Sequence, residues 1–524
     1  MDAKRIIINR NLAVIFLLGI FAGLFSGQAT AKTIIVTQTD DVTKEEPALF
    51  GTLRDAIRNR ADPGDTIIFH VKGPVTLLDV IRIPPRLAGL TIQGPVTLKP
   101  ARGFRGLLIV EADDVTIRGR VTFMDTSLIV QKLLDGIPFR VETSRVLDNR
   151  FRGDSEIFMS EVNNCTIKGN KLNVSPSGAT GNSAIITNRT RDCLVTENTI
   201  ISRSDFAIHD TSSHDVRYIG NKKIKGDVLA SPVSGEISDN KINGVLTIHP
   251  PDFYDTNGLL TVARNTAMRM SIRRTFIDVL NNTLSGAATG GGTSSALFFE
   301  NSDPRGPQGP VLIEDNTLTG GSNGIDFLDT PTSAKAVIFD NHISDCDNAG
   351  ISVRRSRDVL VSENDITACG VGTAGKGIVV NFSSTGGAIV EKNVITNIVG
   401  AGILVTPQGD GIEVVLRNNE ITGSETAGII LLRNPNQTTG RVLMEGNTII
   451  GSNLSGIIGE SFSNGTVRGG EIRDNLGDGI SVLAGSNIEI SQVSMANNTG
   501  PGIDISPSGV TQNNTTKTGN NDLD

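Results

Sequence analysis

Asn341-His342-Ile343-Ser344-Asp345-Cys346 is followed 23 residues later by Asn364-Asp365-Ile366-Thr367-Ala368-Cys369. Between them lie two short β-rich runs, Gly350-Ile351-Ser352-Val353 and Val359-Leu360-Val361, each bounded by turn residues. One unit is written twice. Its Asn-x-(Ile/Leu) slot recurs at Asn170, Asn198, Asn221, Asn240, Asn265, Asn282, Asn316, Asn341, Asn364, Asn393, Asn419 and Asn447, and Gly470 and Ser491 take it in the last two units. Asn221 and Asn265 fit loosely, because the apolar position after them is displaced or weak. A second marker, Gly-Ile, recurs at Gly324, Gly350, Gly377, Gly402, Gly428, Gly456, Gly479 and Gly502. Two markers sharing a period of roughly 25 residues indicate a solenoid, a propeller or an array.

The content of each unit chooses among these. Short runs of Ile, Val and Leu alternate with Gly, Asn, Asp and Ser, and no helical period follows residue 61. A propeller blade needs about 40 residues, and a leucine-rich horseshoe needs another leucine pattern. Two or three strands in about 25 residues fit one coil of a parallel β-helix. The slot asparagines then stack at a tight turn, where their amides bond backbone of their own coil and its neighbours. This ladder is structural, not a binding site.

The chain has 524 residues, 58 Gly, two Tyr and no Trp, with 20% charged residues. Residues 1–31 read as a secretory signal: Lys4, Arg5 and Arg10, then an apolar run from Leu12 to Phe25, then Ala29-Thr30-Ala31. The run is short for a membrane span, and no span is expected after cleavage. Residues 32–510 read as one β-helix domain, with a cap over 32–70, and residues 511–524 as a polar tail. Removing residues 1–31, which carry three basic residues against Asp2, takes the net charge from −8 to −10. An acidic exported chain, secreted or periplasmic, argues against nucleic acid as partner.

The four cysteines pair by position. Cys346 and Cys369 each lie five residues after a slot, and Cys165 and Cys193 five residues before one. Each pair sits at equivalent places on neighbouring coils, so disulfides and stacked buried thiols are both open. No Cys-x-x-Cys spacing supports a zinc site.

At the N-terminus, Gly51-Thr52-Leu53-Arg54-Asp55-Ala56-Ile57 reads as a short amphipathic helix capped by Thr52, with Asp55 as reciprocal partner. Such a helix would cover the open end of a solenoid. With Pro63-Gly64-Asp65-Thr66-Ile67-Ile68-Phe69 after it, this stretch resembles the N-terminal cap of secreted bacterial right-handed parallel β-helix proteins of the pectate-lyase-like superfamily. Gly502-Ile503-Asp504-Ile505-Ser506-Pro507-Ser508-Gly509-Val510-Thr511 is similar to the last coil of large members. The resemblance implies an all-β, right-handed parallel β-helix and a polysaccharide or cell-surface glycan as partner. It does not carry catalytic residues across. Members that cleave pectate carry a Trp-Ile-Asp-His-like motif, and this chain has no Trp. Arg82-Ile83-Pro84-Pro85-Arg86 has the wrong spacing for the family's Arg-x-Pro-x-x-Arg. The polygalacturonase and alginate-epimerase motifs are absent.

Chemistry-bearing residues crowd between 209 and 274. His209, Asp210, His249, Asp255 and Arg273 are the candidate catalytic set, on one face if about two coils separate His209 from His249. Carboxylates, imidazole and arginine together could abstract a proton beside a uronate carboxylate or hold Ca²⁺; no other cofactor is expected. Two functional readings follow. One is a non-catalytic glycan- or surface-binding rod. The other is a polysaccharide lyase, epimerase or hydrolase using this face.

Overall fold

The computed structural model describes residues 30–520 apart from 44–45, 135–136, 178–181, 250–257, 274–275, 287–294, 302–308, 330–334, 357, 371–374, 383–386, 408–411, 433–439, 461–463, 484–485, 506–509 and 514. Residues 1–29, most of the stretch read as a secretory signal, lie outside the described residues. No helix of the described residues is long and apolar enough to cross a membrane.

The chain winds as a parallel β-solenoid. A first sheet takes one strand from each coil, twenty in all, from Thr33–Val36 to Val510–Asn513. Every pairing in it is parallel, as Val359–Ser362 against Ala336–Phe339 and Gly387–Glu391 shows. A second sheet stacks on another face, and a third begins at Thr266–Ala267. Coils repeat every ~4.8 Å, so the rod is roughly 90 Å long.

Alternation along each strand fills the interior. In Ile351-Ser352-Val353 the flanking residues are fully buried and stack on Ile325 and Phe327 below and on Ile378 and Val380 above. Aromatic stacks lie in the same interior, Phe123 on Phe151 and Phe299 on Phe327, each with centroids 4.6 Å apart. The Gly-Ile marker has a steric cause. A Cβ on Gly377 would lie 2.5 Å from both the Gly402 carbonyl and Ile395 Cγ2, so the coil corner closes only on glycine.

The asparagines form a continuous ladder. Asn364 Nδ2 donates to Asn393 Oδ1 at 2.9 Å and to the Ile338 and Ser362 carbonyls at 3.0 Å. Its own Oδ1 accepts from Asn341. Asn221 and Asn265, loose fits by sequence, are full rungs. The ladder starts one coil earlier than the slot count, at Asn149. Its last slot falls on Val493, not Ser491, because Ser494 pairs with Glu471 and Ser491 closes the preceding strand. The residue before a rung is left-handed even where it is not glycine: Asp340, Glu363, Lys392 and Asn418 have φ of 52° to 57°.

Five residues past the slot a second column runs inside the next turn. It holds Cys346, Cys369, Ile398, Ser424 and Ser452, then a second asparagine ladder from Asn475 through Asn498 to Asn520. The polar segment read as a tail is thus a last coil as far as Asn520, with Thr516–Thr518 paired to Ser494–Ala496. Cys165 and Cys193 are joined in a disulfide with Cα atoms 4.4 Å apart. Cys346 and Cys369 are free, buried thiols.

The cap is a turn of α-helix, Leu53–Asp55, continuing as π-helix over Ala56–Arg60. Thr52 Oγ1 accepts from Asp55 N at 3.1 Å, and Asp55 Oδ2 accepts from Gly51 N. Leu53, Ala56 and Ile57 close the first coil. Beneath them Arg54 is held bidentately by Asp41 at 2.6 and 2.8 Å, both groups buried.

Two stability predictions follow from these contacts. Asn364→Ala removes the acceptor of the buried Asn341 N and the donor to the Ile338 carbonyl and Asn393 Oδ1 and is expected to cost about 3 kcal/mol, whereas exposed Asp365→Ala stays within about 0.5 kcal/mol; urea unfolding followed by circular dichroism checks both. Asp41→Ala strands a buried guanidinium and is expected to cost about 3–5 kcal/mol. Hydrogen exchange should show the loss concentrated in the first coils, because each coil of a solenoid contacts only its neighbours.

Candidate functional site

The structure does not gather the five candidate residues into one constellation. His209 and Asp210 are consecutive in the strand Thr199–Thr211, so they face opposite sides. His209 points outward, half-buried, its ring 5.4 Å from that of Phe206. Asp210 points into the solenoid and is fully buried. His249 follows the strand Val245–Ile248, and its N–H donates to the Ala230 carbonyl. That puts it one outward column over from His209 and two coils on, roughly 12 Å away by strand and coil spacing. Arg273 takes the His249 column in the next coil, and Glu300 follows with an ion pair to Arg273 at 3.4 Å. Asp255 lies outside the described residues. His249, Arg273 and Glu300 therefore share a column, His209 shares their face, and Asp210 does not. Among the described residues no group of three or more His, Cys, Asp or Glu side chains could hold a metal ion.

Asp210 is the acceptor of an interior polar cluster. Thr187 Oγ1 donates to its Oδ1 at 2.8 Å. With that proton committed, the Tyr218 hydroxyl, 2.6 Å from Thr187 Oγ1, donates to the threonine. Burial raises the Asp210 carboxyl to about 6, partly offset by the neighbouring hydroxyls of Ser213, Thr187 and Tyr218.

A different surface holds concentrated charge. On the outward face of the stack that includes Arg150–Gly153 and Lys171–Val174, two columns run along the rod. One column carries Arg150, Lys171, Thr199 and Lys223 in register, with Lys241 in the next coil. The other carries Arg152, Asn173, Ile201, Lys225 and Asn243. Arg203 extends the face beyond them. These cations are exposed, and none has a carboxylate partner among the described residues. Arg150, Arg152, Lys171, Asn173, Thr199 and Arg203 line a cleft of about 640 Å³. One acid close to the cleft, Asp154, is already engaged. Asp154 accepts from Ser177 N and Oγ at 2.9 and 2.6 Å and meets Arg105 at 3.3 Å. Burial would raise its carboxyl, but the Ser177 bonds and Arg105 hold it below the usual range. Arg105 also meets the fully buried Glu156 at 3.5 Å.

Sequence reasoning missed these cations because they are spaced by coils, not clustered in the chain. The signal was present: the residue directly after a rung is basic at Arg150, Lys171, Lys222 and Lys241. Lys222 is an extra residue, and Lys223 takes its place in the column.

With the coil geometry in place, comparisons with known proteins identify the architecture. The family described as "Right handed beta helix region" matches residues 271–439 and 436–522. The chain folds as a right-handed parallel β-helix, and its C-terminal part is what matches this family. Solved structures similar to it include the periplasmic alginate epimerase AlgG, at 13% identity over 93% of this chain and 85% of that one, TM-score 0.28. Another is the catalytic unit of a thermostable GH87 alpha-1,3-glucanase from Streptomyces thermodiastaticus, at 17% identity over 75% and 64%, TM-score 0.33. A third is the receptor-binding protein of bacteriophage Det7, a podoviral tailspike in a myovirus, at 10% identity over 89% and 77%, TM-score 0.30. At such scores the likeness says nothing about what this β-helix binds or does. No curated protein matches the chain.

The Asp210 cluster predicts a pH dependence whose sign is set by its raised carboxyl. The folded chain holds a proton that the unfolded chain, near 3.9, releases first, so the contribution of this carboxyl to stability is full below about pH 4 and is lost as pH rises through about 6. The expected loss is on the order of 2–3 kcal/mol. Thermal unfolding of Asp210→Asn, which mimics the protonated acid, should lack this slope.

Proposed function

We propose that this is an exported, non-catalytic β-helix protein that holds an acidic polysaccharide along its basic face. The observation that carries the reading is the pair of columns containing Arg150, Arg152, Lys171, Lys223 and Lys225, exposed and without carboxylate partners among the described residues. Unpaired cations repeating at the coil spacing suit a polymer whose anionic groups recur along its length. Arginine offers a planar fork to each carboxylate, and Asn173, Ser175 and Thr199 offer hydrogen bonds to hydroxyls beside it. The remainder of the acidic chain repels polyanions, which confines them to this face. The cleft has no exposed aromatic ring on which nucleic-acid bases could stack, since its Phe151 is fully buried.

The test uses residues 32–524 on an immobilised polyuronate, a neutral glucan and single-stranded DNA, with released product read by ultraviolet absorbance and reducing ends. Salt-sensitive retention on the polyuronate alone is expected. Arg152→Glu with Lys171→Glu should weaken it at least tenfold, while Lys392→Glu leaves it unchanged. Retention on the glucan or the DNA in place of the polyuronate, or an unaltered double variant, would overturn the reading. Unsaturated product lost in His209→Ala would replace the binding rod with a lyase.

A further inference from the structure

The first sheet carries, in its C-terminal half, an outward column that should be polar and is not. Leu312, Val337, Leu360, Ile389, Val415 and Leu443 follow one another in register over six coils. All lie on the solvent side of the sheet, and Ile389 is 36% exposed. The columns on either side are charged over the last three of these coils and mixed before them. One holds Lys335, Asp358, Gly387, Glu413 and Arg441, and the other holds Glu314, Phe339, Ser362, Glu391, Arg417 and Glu445. An apolar centre with a charged rim is the anatomy of a protein interface. At Gly387 the missing side chain leaves a depression, part of a shallow cleft of about 710 Å³ that Leu360, Ile389 and Glu413 also line.

The order of the charges indicates what covers this face. If a second copy lay against it with the rods parallel, a two-fold axis along the rod would set each left column against the right column of the same coil. Glu413 would then meet Arg417 of the other copy, and Arg441 would meet Glu445. Gly387, with its depression, would meet the longer Glu391. Each contact occurs twice, and none sets like charges together. Antiparallel rods centred on Ile389 would set Lys335 against Arg441, Asp358 against Glu413, and Glu391 against itself. Like charges across an interface select against a partner arrangement. We infer that two copies of this chain associate side by side, in parallel, through the stripe from Leu312 to Leu443. The stripe with its rims spans roughly 30 by 15 Å. That is at the low end for a specific contact, and a reversible dimer in the micromolar range is expected. The inference is independent of the glycan reading, since the basic cleft belongs to another face and earlier coils.

Sedimentation equilibrium of residues 32–524 from 1 to 200 µM tests it, with circular dichroism confirming that each variant folds. The parent chain should dimerise, and Ile389→Asp should abolish this. Arg441→Glu alone and Glu445→Arg alone should each weaken association at least tenfold, and the double variant should recover it to within threefold. The two residues lie four apart on one strand, facing the same way, so recovery can arise only between copies. A monomer throughout the range overturns the inference. So does a double variant no better than the singles, which would leave the charges as ordinary surface. Polyuronate retention, measured in parallel, is expected to be unchanged in all three charge variants, so failure here is separable from failure of the glycan reading.

Discussion

Each coil of this molecule closes by a turn that is unfavourable by itself. Asp340, Glu363, Lys392 and Asn418 hold φ of 52° to 57°, a region that side chains avoid. What keeps the turn closed is the asparagine that follows. Its amide sits inside the coil, donates to carbonyls of its own and the preceding coil, and accepts from the rung before it. No rung is satisfied within one coil, so the turn exists only as part of a stack. The interior follows the same rule: Ile351 and Val353 are covered by neighbouring coils, not by their own.

That dependence explains how the ends are built. At the first coil no preceding rung exists, and the helix over Leu53 to Arg60 covers the apolar interior while the buried Arg54–Asp41 pair ties it down. Toward the other end, the first ladder stops at Asn447 and a second one, Asn475, Asn498 and Asn520, satisfies the neighbouring turn. The column this second ladder inherits holds cysteines, an isoleucine and serines in earlier coils. One structural position is thus filled by thiol, alkyl, hydroxyl or amide in different coils.

A stacked architecture also determines how surface chemistry arises. Residues that lie about 25 apart in the chain become neighbours at ~4.8 Å. The basic face of Arg150, Lys171 and Lys223 and the apolar stripe of Leu312, Leu360 and Val415 are both products of this folding of distance. Neither is a motif in any window of the chain. The two faces lie on different sheets and in different halves of the rod, so anion binding and self-association would not compete for surface.

The repeat was legible in the chain because its cause is local and recurs: the amide must follow the left-handed turn, and glycine must stand where a Cβ would lie 2.5 Å from the carbonyl of the next coil. The capping helix was legible for the same reason, since Thr52 and Asp55 bond within one turn. His209 and Asp210 misled because adjacency in sequence is opposition in a strand, which sends one outward and buries the other. The full rungs at Asn221 and Asn265 were obscured by shifts in the apolar position after them, which the ladder tolerates because its bonds are made by the amide and the backbone. By itself the sequence determined the coil, its turns and its caps, because those depend on residues near one another in the chain. Only the tertiary structure decided which side chains share a face, because that depends on the number of residues in every intervening coil, and a single insertion such as Lys222 moves a column.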